Sequence, residues 1–519
     1  MVGRNRGLMS QLATRTKWAL SAGVVALLAT SLSGCFLLPE KANTSKDDGK
    51  DTSDKAFAEY FDQKVKWTDC DDLECATIKV PIDWTDEKSE SVEIGMAKQA
   101  ASGKSKGTLF VNPGGPGGSG VDFVQYATSD DLADNFDVVG WDPRGVGAST
   151  QVTCLDDADM DAKLYDTFAD PYFTQAWVDD LTAENKKFTE ACVDNTGDLL
   201  AHLDTVSTAN DLELMRALLT GDDPIEYLGY SYGTFIGATY AELFPKHVGH
   251  MVLDGAVDPK INAFDQLVVQ MGGFESAFRA YMTDCLTKAD CPFTGTLDDG
   301  LAQAKAFLES VDGLGLSSPD GRPFDSATAG TGLAFAMYSE DYWDYLSQAV
   351  TEVRAGATDT MFLLADSYNE RGQDGSYGNS VDVYTATECV DADFTEDGNS
   401  TLEGLKKIDA AAPTIGRYIA LDDYAELDTT CDNWPYPPAD RPKSYDAKGA
   451  APILVVGTSN DPATPFAWAK SLASQLDSGV LISVEGEGHT AYNGGNTCVD
   501  TTVDDYFIDD TVPSEDPKC

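Results

Sequence analysis

The chain opens its ordered-looking part with two segments of alternating polarity, Cys75 to Trp84 and Ser91 to Gln99, which read as half-buried strands. Lys106 to Gly120 begins as a continuous apolar run and ends in a glycine-rich loop; Asn135 to Thr150 is a second run leading into a turn. Thr205 to Gly221 changes period. Leu212, Met215, Leu218 and Leu219 fall on one helical face, with Asn210 or Asp211 near the cap. A short buried strand, "IEYLGY", follows, then a helical stretch from Gly233 to Leu243 and a strand within His250 to Pro259. Strand and helix in alternation predict a mostly parallel sheet flanked by helices.

After Pro259 the period is helical almost throughout, as in Leu301 to Val311 and Tyr342 to Gly356. Strands resume at Ala451 to Pro465 and Gly479 to Thr490, with a helix at "FAWAKSLASQL" between them. The pattern predicts one α/β domain in two parts, 63–259 and 442–519, split by a helical insertion over 260–441. No internal repeat is present.

Between the strand "IEYLGY" and the helix after it stands Gly229-Tyr230-Ser231-Tyr232-Gly233. A G-x-S-x-G at a strand-to-helix turn is a nucleophile elbow, in which small flanking residues allow a sharp turn that lifts the serine hydroxyl clear of the sheet. A serine needs a base, and the base an orienting acid. The elbow therefore predicts an Asp and then a His, each just after a later strand. Asp461 follows "ILVVGTSN" and His489 follows "VLISVEGEG"; Asp258 and Glu485 are the alternative orienters. The glycine-rich loop "NPGGPGGSG", Asn112 to Gly120, lies where such enzymes keep an oxyanion donor. The N–H groups of Gly115 and Tyr232 are the candidates. A phosphate cradle is disfavoured, since no GK[ST] follows the glycines. Asp142 and Arg144 in "DPRGVG" are expected to pair beneath that loop.

In this order, "GGPGGSG", "DPRGVGAS", "GYSYGT", "LDGAVDP", "TSNDPATP" and "GHT" resemble the secreted tripeptidyl-aminopeptidase family of actinobacteria, α/β-hydrolases related to proline iminopeptidases. "CATIKVPIDW", "ATECVD" and "CDNWP" resemble further family segments, and the likeness spans Trp67 to Cys498. It implies an α/β-hydrolase fold with a large helical cap inserted before the last strands, and a serine exopeptidase releasing short peptides, tripeptides by family, from free N-termini. It implies Ser231, Asp461 and His489 as the triad, and no metal or organic cofactor. Thr490 departs from the pattern, standing where glycine is frequent. A free N-terminus also calls for a carboxylate to meet its ammonium; Glu388 is the first candidate and Asp391 the second. A carboxylesterase or lipase using the same triad is the alternative reading, and a non-catalytic surface binding protein a more distant one. Peptide or protein N-termini are the expected partners, and a monomer the expected state.

Charge and cysteines narrow the setting. Lys and Arg total 36 against 87 Asp and Glu, a net charge of −51. Phosphate binding needs clustered cations, so nucleic acid is excluded as a partner. The same balance suits a soluble surface in a secreted or salt-exposed protein. Arg4, Arg6, Arg15 and Lys17 precede the apolar run Trp18 to Gly34, which fits a signal peptide over 1–34. Leu32-Ser33-Gly34-Cys35 resembles a lipobox, which predicts lipidation of Cys35, a polar tether over 35–62 and an extracytoplasmic protein held at the membrane by that lipid or secreted. Without Cys35, ten of the 11 cysteines remain, an even number suited to an oxidising compartment. Spacing favours Cys70 with Cys75, Cys154 with Cys192, Cys285 with Cys291, Cys389 with Cys431, and Cys498 with Cys519. The lack of CxxC pairs and the presence of only 4 histidines weigh against a zinc site.

Overall fold

A computed structural model describes residues 57–394, 398 and 400–519. The expected signal peptide and lipidated Cys35 lie outside the described residues. Of the stretch read as a tether, 57–62 is ordered: Ala58–Phe61 form one helical turn, and Phe57 packs edge-on against Trp84 with ring centroids 5.1 Å apart. Phe57 and Tyr60 are apolar enough to be drawn onto the body, so a tether can extend no further than 56. Among the described residues, no helix is long and apolar enough to cross a membrane.

Nine strands form one sheet: β1 (Thr68–Cys70), β2 (Leu73–Pro81), β3 (Ser91–Gln99), β4 (Thr108–Asn112), β5 (Asp137–Trp141), β6 (Ile225–Tyr230), β7 (Val248–Asp254), β8 (Ile453–Asn460) and β9 (Gly479–Glu487). Their spatial order is β1-β2-β3-β5-β4-β6-β7-β8-β9. The first three strands and β5 pair antiparallel; every pair from β5 through β4 to β9 is parallel. Alternating polarity in β2 thus belongs to the antiparallel end, and the unbroken apolar runs of β4 to β8 to the doubly covered parallel part. β4 has β5 on one side and β6 on the other. The chain reverses its direction of travel there, and the connections leaving β4 and β6 diverge at their carboxyl ends. Parallel sheets open their binding crevice at such a point.

One apolar cluster joins the sheet to the helix Thr497–Asp509 through Val499, Val503, Tyr506 and Phe507. A second, larger cluster lies away from the sheet, mostly among helices between β7 and β8. Trp343, Leu346, Ala349, Val350 and Val353, at helical spacing, are the buried face of the helix Trp343–Arg354. This layer is wider than the insertion read from the chain. Tyr165, Trp177, Val178 and Leu181, from the helices Asp157–Tyr165 and Gln175–Thr196 between β5 and β6, pack in the same cluster. Their apolar stripes had two faces to choose from, and periodicity says only that one must be covered.

The five disulfides join Cys70 to Cys75, Cys154 to Cys192, Cys285 to Cys291, Cys389 to Cys431, and Cys498 to Cys519, the pairs that spacing favours. Two local expectations are corrected. The helix expected to start near Asn210 begins at Thr205, capped by Asp204, which accepts the Ser207 N–H at 2.9 Å and its hydroxyl at 2.7 Å. Arg144 does not pair with Asp142. It forks onto Asp211 at 2.7 and 2.8 Å and gives its other donors to the carbonyls of Pro81, Ile82 and His202. Asp142 instead accepts from Ser119, Val121 and Ala148, fastening the end of the glycine-rich loop. Asp211 also takes the Trp84 indole N–H at 2.8 Å, so the pair, fully buried, locks β2, the turn after β5 and the helix Thr205–Thr220 together.

Replacing Arg144 with Leu leaves Asp211 uncompensated in the interior and is expected to cost about 3–5 kcal/mol. R144L/D211N together should cost less than R144L alone. Chemical denaturation midpoints of the three proteins measure both; a double variant no more stable than R144L would show that the pair is not the source of the loss.

Candidate active site

β6 ends at Tyr230 and the helix Tyr232–Leu243 starts two residues on, with Ser231 between them at φ 53°, ψ −126°. A non-glycine residue in that region is strained and is held only where its surroundings insist. Here the Ser231 N–H donates to the Asp254 carbonyl at 2.9 Å, and the Ser231 carbonyl accepts from the N–H and hydroxyl of Thr234 at 2.8 and 2.6 Å. The flanking glycines are required by contact. A Cβ on Gly229 would lie 2.5 Å from the Gly233 carbonyl oxygen, and one on Gly233 would lie 2.8 Å from that of Asn112. The turn therefore aims the serine hydroxyl and the positive end of the following helix at one place.

Asp461 and His489 come from the turns after β8 and β9. Nδ1 of His489 lies 2.9 Å from both carboxylate oxygens of Asp461. The carboxylate is buried and takes further hydrogen bonds from the N–H groups of Ala463, Thr464 and Thr490 and from the Thr464 hydroxyl, at 2.8 to 3.2 Å. The Thr464 hydroxyl also sits 3.2 Å from His489 Nδ1. Burial pushes the imidazole pKa down, but the charge and hydrogen bond of Asp461, with Asp254 behind it, outweigh burial and leave it raised. Asp258 and Glu485 take no part: Asp258 accepts from Gln475 and Lys260, and Glu485 is exposed.

Ser231 and His489 adjoin consecutive residues of the chain. Asp254 holds the Ser231 N–H, and a Cβ on Gly255 would lie 3.1 Å from His489 Cε1. No hydrogen bond joins the Ser231 hydroxyl to the imidazole, and among the described residues neither that hydroxyl nor His489 Nε2 has another partner. In unliganded hydrolases this bond is often long and tightens with substrate. The glycine-rich loop closes the other side. A Cβ on Gly114 would lie 2.8 Å from both the Ser231 Cβ and the Tyr232 nitrogen, so the loop that carries Gly115 runs directly beside the elbow. Thr490, the departure from the family pattern, has φ 66°. That is a conformation glycine adopts freely and a β-branched residue rarely does, which explains why glycine is frequent there.

The helical layer touches every part of this arrangement. Tyr338 accepts the His489 N–H on its carbonyl at 3.0 Å and sets its ring edge-on to the imidazole, centroids 5.5 Å apart. Gln270 donates to the Ala463 carbonyl at 2.8 Å. The helix Ser380–Asp391 runs from the glycine-rich side to the elbow. At its start, Asn379 bonds Gly145, Gly147 and Val152; at its end, Asp391 accepts the N–H and hydroxyl of Thr205, whose hydroxyl is 2.6 Å from that of Tyr232.

Of the two acids considered for an ammonium, the helix separates the roles. Asp391 has both oxygens occupied by Thr205. Glu388, one turn earlier on the same face, is partly buried and has no hydrogen bond or close ion pair among the described residues. Burial first, then the nearby Asp391 and Asp423, push Glu388 up to about 8 against a lowering by Arg441. Asp423 was not singled out from the chain. It lies buried in a π-helical turn, Leu421–Ala425, its pKa pushed by burial to about 7. A motif reading had no signal for it, because acids are everywhere in this chain. Among the described residues, no group of His, Cys, Asp and Glu is placed to hold a metal.

The chain was compared with known proteins. Residues 418–519 match the family described as TAP-like protein. Serine protease Hip1 of Mycobacterium tuberculosis is 36% identical over 485 residues, covering 88% of this chain and 91% of that protein. Carboxylesterase B of the same species is 37% identical, covering 86% of each. Tripeptidyl aminopeptidase of Streptomyces lividans is 27% identical, covering 88% of this chain and 86% of that protein. With the nine-stranded sheet, the elbow and relatives aligned over nearly the whole length, this chain belongs to the tripeptidyl-aminopeptidase-like family of α/β-hydrolases.

Proposed function

We propose that this protein is an extracytoplasmic serine exopeptidase that removes short peptides, tripeptides by family, from free N-termini, with Ser231, His489 and Asp461 as its triad. His489 Nε2 takes the Ser231 proton as the serine oxygen attacks the scissile carbonyl carbon. Asp461 holds the imidazole with its proton on Nδ1 and stabilises the imidazolium. The N–H groups of Gly115 and Tyr232 receive the oxyanion. The carbon–nitrogen bond breaks as His489 protonates the leaving amine. Water then attacks the acyl-enzyme, delivering its proton to His489, which passes it to the Ser231 oxygen as the acyl–oxygen bond breaks and the free serine is restored. Five disulfides support an oxidising compartment. Lipidation of Cys35 would hold the protein at the membrane surface.

The observation that carries the exopeptidase reading is the unpaired carboxyl of Glu388 on the helix Ser380–Asp391, one turn from the residue that is tied through Thr205 to Tyr232. A carboxyl with no hydrogen bond or close ion pair among the described residues, its one cationic influence the more distant Arg441, in a helical layer that contacts the triad loops, suits the ammonium of a substrate. The 37% likeness to a protein named carboxylesterase B favours an esterase as the second reading, since the triad does not distinguish ester from amide.

Three substrates separate the readings: a free-amine tripeptide anilide, its N-blocked twin and a short-chain nitrophenyl ester. The free-amine anilide should be strongly preferred, and Ser231→Ala should lower its turnover about 10³-fold or more. Turnover of the ester alone would establish the esterase. Glu388→Gln should raise KM for the free-amine anilide about tenfold or more while leaving ester hydrolysis unchanged. An unchanged KM would remove Glu388 from substrate binding.

The pH dependence follows from the raised carboxyl. Glu388 is neutral below about 8 and charged above it. In the free enzyme, 1/KM for free-amine substrates should therefore climb as pH approaches 8 from below, then fall as the peptide ammonium, of pKa about 8, loses its proton. The rising limb should vanish in E388Q when KM is measured from pH 5.5 to 9.5.

A further inference from the structure

Asp254 ends β7 between the strand that leads to Ser231 and the strand that leads to Asp461. Its side chain is fully buried. Its backbone carbonyl accepts the Ser231 N–H at 2.9 Å, holding the strained turn. Its carboxylate accepts the Ala491 N–H at 2.9 and 3.2 Å and the Tyr492 N–H at 2.8 Å, the two amides that follow His489 and Thr490. One residue thus grips the nucleophile's turn through its main chain and the base's loop through its side chain. The choice of a carboxylate, in the interior where charges are weakly screened, also places a second negative charge near the imidazole.

We propose that Asp254 is a positioning residue for the serine–histidine pair, registering the His489 loop against the Ser231 turn and raising the basicity of His489 through its charge. This rests on Ser231, His489 and Asp461 being the triad. The carboxylate does not reach the ring itself, whose Nδ1 is taken by Asp461, so its action is through the loop and through space. The groups facing His489 are Asp461 from the turn after β8, Asp254 from β7, and Tyr338 from the helical layer, whose phenol turns toward Tyr368. Those facing Asp254 are His489, Asp461 and the Tyr230 phenol, which donates to the Ala127 carbonyl. Burial, only partly offset by the two amide hydrogen bonds, lifts the Asp254 carboxyl to about 6, so its charge is present at neutral pH.

The sign follows. His489 acts as a base only when neutral, so the acid limb of kcat/KM tracks its pKa. Removing a nearby negative charge lowers that pKa and moves the limb to lower pH. Asp254→Asn, folded as judged by circular dichroism and thermal unfolding, should lower kcat about tenfold to 100-fold with KM within about twofold. It should also shift the acid limb down by about half a pH unit. The limb is read on the tripeptide anilide or the nitrophenyl ester, whichever the wild type turns over. It is read again on the rate of Ser231 inactivation by a fluorophosphonate, which needs no knowledge of the substrate. A kcat within about twofold of wild type, or a fall in kcat with the limb unmoved, would overturn the proposal. Should D254N not fold, Asp254→Glu keeps the charge but displaces the carboxylate. It should lower kcat about tenfold with the limb held at the wild-type pH; an unchanged kcat or a shifted limb would overturn the proposal equally. Ser231→Ala is run beside them. If it stays active, the triad reading fails; if it is inactive while D254N behaves as wild type, only the role of Asp254 fails.

Discussion

The bond between the buried Asp461 carboxylate and Nδ1 of His489 is the contact around which the rest is arranged. A carboxylate taken out of water is costly unless its lone pairs are filled. Here three backbone amides, one threonine hydroxyl and the imidazole fill them. Those donors come from the turn after β8 and the loop after β9, so keeping Asp461 charged in the interior forces the two connections into one shape. The histidine is then oriented by the requirement to satisfy the acid, and its second nitrogen has no partner among the described residues.

The serine side of the site is built on strain rather than on charge. Ser231 sits in a backbone region that L-residues avoid, and it stays there because its N–H, its carbonyl and the close approach of two glycines leave no alternative. Asp254 connects the two halves. Its carbonyl is part of the strained turn and its carboxylate part of the histidine loop, so the Ser231 turn and the His489 loop share a single buried anchor.

Above the sheet, the helical layer collects acids in a low-dielectric space. Glu388, Asp391 and Asp423 all have pKa values raised by burial, to about 8, 7 and 7. Such groups disfavour the folded state unless something recovers their charge. Thr205 does so in part for Asp391. For Glu388 the proposed ammonium of a substrate would do so, and binding energy would then come from relieving a cost already built into the fold. The net charge of −51 makes this hard to see from the chain, since a functional acid is one among 87.

What the chain determines by itself is what short-range pattern can encode. Alternation marks β2 and β3, unbroken apolar runs mark β4 to β8, and a glycine-serine-glycine turn between strand and helix marks the elbow. The order serine, aspartate, histidine, each after a strand, follows from the same reading. Tertiary structure decided what depends on residues far apart in sequence. The stripe of Gln175–Thr196 could have covered either the sheet or the helical layer, and docking chose the layer. Arg144 had Asp142 two residues away and took Asp211 instead, which offers both oxygens to the fork, while those of Asp142 are held by Ser119, Val121 and Ala148. Glu388 and Asp391 stand first and second as candidates in the chain, and their roles part only because Thr205 fills both oxygens of Asp391. Asp254 looked like the end of a strand. It became a junction because two loops, separated from it by more of the chain than any local period spans, fold onto its carbonyl and its carboxylate. Periodicity reports which face of an element must be covered; which neighbour covers it, and which buried charge finds which donor, is settled only when the elements pack.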